Sequence, residues 1–216
     1  MFLWREPGLD VNMATKSDPG ATWTAPILVP ELSSTGLEYR TSLSGDARIS
    51  VFNSTRSGAL ELWLAEREDP EVPFGPPTQD LLANLTTTTG DYDPELSVDG
   101  LTLYFTRQVD GGRRLMRTTR ATTSAAFDAP VELGEYGSDV HDPSLSPDQL
   151  VISYVVFTPP QRVEYRSRAD IGQDFGEPTQ LASVHEASDL ELSPDGCELY
   201  YRAVAAPTSL WVAPIE

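Results

Sequence analysis

Leu96-Ser97-Val98-Asp99-Gly100, followed by Leu101-Thr102-Leu103-Tyr104-Phe105-Thr106, decides the fold, because the chain states its opening phrase four times. Leu43-Ser44-Gly45-Asp46, Leu145-Ser146-Pro147-Asp148-Gln149 and Leu192-Ser193-Pro194-Asp195-Gly196 are versions of the same Leu-Ser-x-Asp-Gly phrase. Their serines stand 53, 49 and 47 residues apart. A second phrase, aromatic-x-x-Pro, keeps step with the first: Trp23 to Pro26, Phe74 to Pro77, Phe127 to Pro130 and Phe175 to Pro178. The serine precedes the aromatic by 30, 30 and 29 residues. Two independent markers in one phase define a repeat, and a period of roughly 40–50 residues with strand-like content is that of a propeller blade.

The copy beginning at Asp93 reads as four strands. Asp93-Pro94-Glu95-Leu96-Ser97 is a short strand closed by the Val98-Asp99-Gly100 turn, where Asp accepts backbone N–H groups and Gly tolerates positive φ. Leu101 to Thr106 has the β-branched and aromatic content of a second strand. Asp110-Gly111-Gly112 is a hairpin turn leading to a third strand, Arg114 to Thr119, and Val131-Glu132-Leu133 is a short fourth. The other copies map onto this one. The middle strands are Ile49 to Ser54 with Leu60 to Glu66, Val151 to Phe157 with Arg162 to Arg168, and Glu198 to Arg202 with Ser209 to Ala213. Thr78 to Leu82 and Thr179 to Ala182 are expected outermost. Apolar residues on both faces suit blades covered by neighbours on either side. The aromatic of the second phrase reads as a plug between blades, its proline fixing entry to an edge strand.

Bulk composition narrows the function. The formal charge is −18, with 33 acidic against 15 basic side chains, which speaks against nucleic acid because phosphate contacts want cations. The acidity fits solubility, or affinity for cations and basic partners. No stretch approaches the roughly 18 apolar residues of a membrane span. Cys197 is the only cysteine, so no disulfide forms within the chain. Met1-Phe2-Leu3-Trp4 runs at once into Arg5-Glu6-Pro7, without the apolar core of a signal peptide.

These residues together resemble a known repeat. Leu-Ser-x-Asp-Gly, then Leu-x-Leu-Tyr-Phe, a Gly-rich turn, a strand ending in Thr-Arg, and Phe-x-x-Pro-Val-x-Leu-Gly are similar to the WD-like propeller repeat of the TolB type. The likeness covers essentially the whole chain. It is close from Asp93 to Gly134 and weaker at Ser44 and Ser146, where Gly45-Asp46-Ala47 and Asp148-Gln149 lack the turn glycine. The resemblance implies an all-β propeller, often six-bladed, frequently exported to the periplasm or beyond in bacteria, and used as a protein-binding platform or accessory domain.

Phase sets the expected organisation: one propeller domain over 1–216, with a partial blade 1–36, four-stranded antiparallel blades 37–90, 91–139 and 140–186, and a partial blade 187–216. About five blades are thus present, three of them complete. Phe2 to Arg5 reads as a second strand, Asp10 to Lys16 as a third and Ile27 to Val29 as a fourth, since counting back from Trp23 puts the matching serine before Met1. At the other end the sequence stops after a third strand. Either the chain is a five-bladed ring short of two strands, or it is part of a longer, for instance six-bladed, propeller; the phase favours the second.

One column carries the candidate site. Four residues before each serine stand Asp93, Asp142 and Asp189, with Arg40 in the remaining copy. They are expected to open the innermost strands and ring the mouth of the channel, with His141 and His185 in the adjoining connections. One reading is a carboxylate ring for a hard cation such as Ca²⁺ or for a basic group; the other is a repeated turn-forming Asp that caps local backbone. Recurrence in successive blades favours the second, and no other cofactor is expected. With no third nitrogen or sulfur ligand in phase with the histidines, no zinc site is expected. Trp4, Trp23, Trp63 and Trp211 read as core packing, and no nucleophile elbow or phosphate-cradling loop occurs. The expectation is a monomeric, non-enzymatic, extracytoplasmic binding or scaffold propeller that recognises a protein or peptide through its channel-mouth loops. The alternatives are a glycan-active hydrolase, which needs an acid and a base in unlike environments, and a regulatory propeller domain of a larger enzyme.

Overall fold

The computed structural model describes residues 2–5, 10–15, 21–85, 87, 89–184, 186–193, 196–203 and 210–215. They form five antiparallel sheets, in chain order. The first holds β1 (Phe2–Arg5), β2 (Val11–Ala14) and β3 (Ile27–Leu28), and the second β4 (Glu38–Leu43), β5 (Ile49–Ser54) and β6 (Glu61–Glu66). The third comprises β7 (Asp91–Leu96), β8 (Thr102–Val109), β9 (Gly112–Thr119) and β10 (Val131–Glu132). The fourth comprises β11 (Val140–Leu145), β12 (Val151–Val156), β13 (Arg162–Ser167) and β14 (Thr179–Gln180), and the last β15 (Ala187–Leu192), β16 (Glu198–Ala203) and β17 (Leu210–Pro214). The innermost strands β4, β7, β11 and β15 lie side by side in that order, with β1 beside β4. This is an all-β propeller architecture.

The core lies between sheets. Val29, Leu32, Phe52, Ala65 and Phe74 pack the first sheet on the second. Val51, Leu64, Leu103, Phe105 and Phe127 join the second to the third. Tyr104, Leu115, Ile152 and Tyr154 join the third to the fourth, and Val155, Val163, Leu190 and Leu199 the fourth to the last. Every residue of β5 is buried, as a strand covered on both faces requires.

Three of the four Leu-Ser-x-Asp phrases lie wholly within the described residues and fold as expected. In the third sheet Ser97 Oγ donates to Asp99 Oδ1 at 2.6 Å, and that oxygen accepts the Leu101 N–H at 3.0 Å. The same bonds recur at Ser44 with Asp46 and at Ser146 with Asp148; Asp195 lies outside the described residues. The turn needs positive φ one residue on, and Gly100 supplies it at 71°. Ala47 at 57° and Gln149 at 61° adopt it without glycine's freedom.

Two expectations are corrected. Thr78 to Leu82 is not a strand: only Thr78 bridges to Leu64, after which Asp80–Leu85 turns as a 3-10 helix. Leu82 and Leu85, three apart, then fall on one face of that turn and enter the core, a placement that alternating strand geometry denies them. Trp23 and Trp211 are each 47% exposed and so are not core residues, because among the described residues no strand lies over Trp211 on the outer side of β17. Trp63 is partly buried as expected, and the Trp4 side chain lies outside what the structure describes.

Candidate functional site

The three aspartates stand third in their inner strands, at a bulge. The β7–β8 register shifts between Tyr92 and Glu95, β11–β12 between His141 and Ser144, and β15–β16 between Ser188 and Glu191. Asp93, Asp142 and Asp189 adopt φ of 48°, 48° and 54° there. Two of them precede proline, which has no N–H to lose from the ladder. The bulge frees the Asp N–H from its own sheet and turns it toward the preceding one. Asp142 N–H faces Asp93 Oδ2 at 3.5 Å, and Asp189 N–H donates to Asp142 Oδ2 at 3.0 Å. Asn53 begins the series by accepting the Asp93 N–H at 3.0 Å. The expected role as a local cap is thereby corrected for two of them: the Asp93 and Asp142 carboxylates accept from the next blade, while that of Asp189 meets Arg40 and Arg202.

A second column two residues on repeats the device. Ser42 Oγ accepts the Leu96 N–H at 2.8 Å, Glu95 Oε1 the Leu145 N–H at 2.8 Å, and Ser144 Oγ the Leu192 N–H at 2.9 Å. Glu191 occupies the fourth position of this column. These residues went unnoticed in the sequence, although Ser42, Glu95, Ser144 and Glu191 hold the same phase as the aspartates.

Arg40 on β4 reaches past β7 to the aspartates of β11 and β15. Its guanidinium lies 3.8 Å from Asp142 and 3.7 Å from Asp189, and Nη2 donates to the Leu190 carbonyl at 3.1 Å. Burial works against its charge, but the facing carboxylates outweigh burial and hold it more firmly protonated than a free arginine. Asp93 pairs instead with Arg113 at 2.9 Å, and Asp189 also with Arg202 at 2.7 Å. Burial pushes the Asp142 carboxyl up to about 6 against the pull of Arg40. Glu95 rises further, to about 8, through burial and the like charge of Glu191. Glu191 moves up as well, through desolvation by the surrounding protein and against the pull of Arg40, although its side chain meets solvent.

His141 Nε2 lies 2.8 Å from Asp139 Oδ1, with its ring 4.3 Å from that of Phe157. His185 lies outside the described residues. Among the described residues no group of three or more His, Cys, Asp or Glu side chains is placed to hold a metal ion. The column is therefore a set of carboxylates already engaged by backbone N–H groups and guanidinia.

Known structures share this fold. TolB from Acinetobacter baumannii superposes with a TM-score of 0.64 at 15% identity, over 99% of this chain and 49% of that one. The fold is a WD-like β-propeller similar to TolB. A thermostable family-43 glycoside hydrolase gives a TM-score of 0.64 at 10% identity, over 99% of this chain and 88% of its own. A chain of a nidogen/laminin complex gives 0.60 at 12% identity, over 99% and 77%. The present chain thus spans about half the length of that TolB. No family model matches the sequence, and no curated protein does. At these identities the likeness is one of fold.

Proposed function

We propose that the chain is a non-enzymatic binding propeller, working outside the cytoplasm, that recognises a basic protein or peptide through the loops at its channel mouth. The observation that carries this reading is the engagement of the channel carboxylates. Asp93, Asp142 and Glu95 each accept an inter-sheet N–H group, so they build the channel wall and are not held ready for proton transfer. The chain as a whole carries a net charge of −18, which favours cationic partners over anionic ones. The TolB-like fold supports an extracytoplasmic setting and a protein partner, and the nidogen/laminin complex is a protein assembly containing the same architecture. Nucleic acid does not suit this charge, and among the described residues no helix is long and apolar enough to cross a membrane.

A hydrolase reading has one observation in its favour: Glu95, with its carboxyl pushed up to about 8, has the protonation state of a general acid. Against it, Glu95 is 7% exposed and both its oxygens are engaged, one by the Leu145 N–H and one by Ser42. Titration of the chain with an arginine-rich nonapeptide and with its glutamate counterpart, beside a panel of aryl glycosides, separates the two. Salt-sensitive binding of the basic peptide alone, shifting Asp139 and His141 resonances without glycoside turnover, is expected. Turnover abolished by Glu95→Gln would overturn the binding reading.

A further inference from the structure

The loop that carries the buried aromatic recurs in the three middle blades, and in one of them a hydroxyl stands where the others have a carboxylate. Arg67, Arg120 and Arg168 open these loops, and two residues on stand Asp69, Thr122 and Asp170. The backbone turns alike in all three. Val72 N–H donates to the Asp69 carbonyl at 3.1 Å, Ala125 N–H to that of Thr122 at 3.0 Å, and Gln173 N–H to that of Asp170 at 3.0 Å. Asp69 Oδ1 also accepts the Glu71 N–H at 2.9 Å, and Asp170 Oδ1 the Gly172 N–H at 2.8 Å. The Thr122 hydroxyl instead meets that of Ser124 at 3.2 Å.

The arginines differ in step with this. Nη1 of Arg67 donates to the Val72 carbonyl at 3.3 Å, and Nη1 of Arg168 to the Gln173 carbonyl at 3.1 Å. Arg120 is 4% exposed, and neither its Nη1 nor its Nη2 meets an acceptor among the described residues. A buried guanidinium with two unbonded amino groups is costly and calls for an acceptor. Burial weakens the hold of Arg67 on its proton, and the charges of Glu71 and Asp69 oppose it. Burial does the same at Arg120, where the opposing charge is Glu66, which is exposed and makes no bond to either amino group. The loop hydroxyls stand close by. Thr123 Cγ2 and Arg120 Nη2 lie 3.5 and 3.6 Å from the point that a Cβ on Gly100 would occupy, and Thr122, Thr123 and Ser124 are all exposed.

We infer that Thr122 is a phosphorylation site, its phosphoryl group taking the place that Asp69 and Asp170 hold in the neighbouring blades. In the transfer, Thr122 Oγ1 attacks the γ-phosphorus of a nucleoside triphosphate held by a kinase. The Oγ1–P bond forms, the bond from that phosphorus to the β-phosphate oxygen breaks, and the nucleoside diphosphate leaves. The hydroxyl proton passes to a base of the kinase. Transfer precedes any passage of the chain out of the compartment that holds the triphosphate. The product carries a charge of about −1.5 to −2 and three acceptor oxygens. One oxygen accepts the Ser124 N–H, as Asp69 accepts that of Glu71, and the others take Nη1 and Nη2 of Arg120. Arg120 Nε stays on the Gly100 carbonyl, so the phosphoryl group ties the loop to the turn of its own blade above Phe127. The site lies at the Leu-Ser-x-Asp end of the third sheet, where Thr119 pairs with Thr102, and holds or fails independently of the function proposed above.

Two measurements test it. In the chain isolated from its own cells, fragmentation of the tryptic peptide Ala121–Arg162 should place a phosphoryl group on Thr122. A peptide without that group, or with it only on another residue, would overturn the site. In the complete chain with phosphothreonine built in at 122, the melting temperature should rise by about 2–4 °C. Thr122→Asp, which restores the residue of the neighbouring blades, should raise it less, and Thr122→Val should not raise it. The rise should vanish in Arg120→Met, and the Asp and Val variants keep the test valid if that variant misfolds. An unpaired phosphoryl group only adds repulsion to a chain already at −18, so an unchanged or lower melting temperature would overturn the pairing with Arg120. An equal rise of the unmodified chain in millimolar inorganic phosphate would overturn covalent modification in favour of a free oxyanion.

Discussion

Glu95 joins three sheets through one carboxyl group. It sits on β7, takes the Leu145 N–H of β11, and meets Ser42 Oγ of β4 at 3.2 Å. With a carboxyl pushed up to about 8 in the folded chain against an ordinary 4.5, the folded state keeps a proton that the unfolded chain has released. Stability from this group is therefore greatest below about 4.5, falls as pH rises toward about 8 and levels off above. Asp142, pushed up to about 6, acts in the same direction over a narrower window. The expected outcome is a melting temperature that falls from pH 5 to pH 8 in the native chain and falls less in Glu95→Gln. Gln keeps the acceptor for Leu145 and has no charge to bury. Parallel pH curves for the two proteins would refute the assignment. The turn residues give a second prediction at this scale. Ala47 and Gln149 hold left-handed backbone, which costs an ordinary residue roughly 1–2 kcal/mol. Because glycine also loosens the unfolded chain, Gln149→Gly should gain only about 0.5–1 kcal/mol in urea unfolding, whereas Gly100→Ala should lose about as much.

Three of the blades are locked by an arginine at a strand end, to which the repeat pattern alone assigned no role. Arg67, Arg120 and Arg168 stand seven residues before Phe74, Phe127 and Phe175. Their guanidinium carbons lie 4.3, 4.4 and 4.3 Å from those ring centroids. Their Nε atoms donate to the carbonyls of Ala47, Gly100 and Gln149 at 2.7, 2.8 and 2.8 Å, so each side chain ties the plug to the turn of its own blade. The plug was legible because an aromatic spaced from proline is rare and phased. The arginine was not, since charged residues ending a strand look like any solvated edge. Phe127 is fully buried between the second and third sheets, and Phe127→Ala should cost about 3–5 kcal/mol. Arg120→Met should cost about 1–3 kcal/mol through the lost carbonyl bond and ring contact. Equal stability of Arg120→Met and the native chain in denaturant titration would show the arginine to be incidental. The missed 3-10 turn at Asp80–Leu85 has a similar origin: strand phase carried over from neighbouring copies hid two leucines three apart.

At the scale of the molecule, repetition made the fold readable and left the site obscure. A period shared by two phrases reports sheets that stack on one another, and the order and pairing of strands follow from it. The role of the Asp column did not follow, because its meaning depends on which sheet each side chain faces. Only the bulge at Asp93, Asp142 and Asp189 turns an apparent local cap into a bond to the neighbour. The account therefore rests on these aspartates splicing successive blades and not holding an ion. Unfolding of Asp142→Asn and Asp142→Gly, each with calcium and with chelator, tests this most directly. Asparagine keeps both the acceptor and the left-handed backbone, while glycine keeps the backbone and loses the acceptor. The account predicts that Asn stays within about 0.5 kcal/mol of the native chain, that Gly loses about 1–3 kcal/mol by stranding the Asp189 N–H, and that calcium shifts none of them. Native-like stability of the Gly variant, or a calcium-dependent rise confined to the native chain, would contradict it.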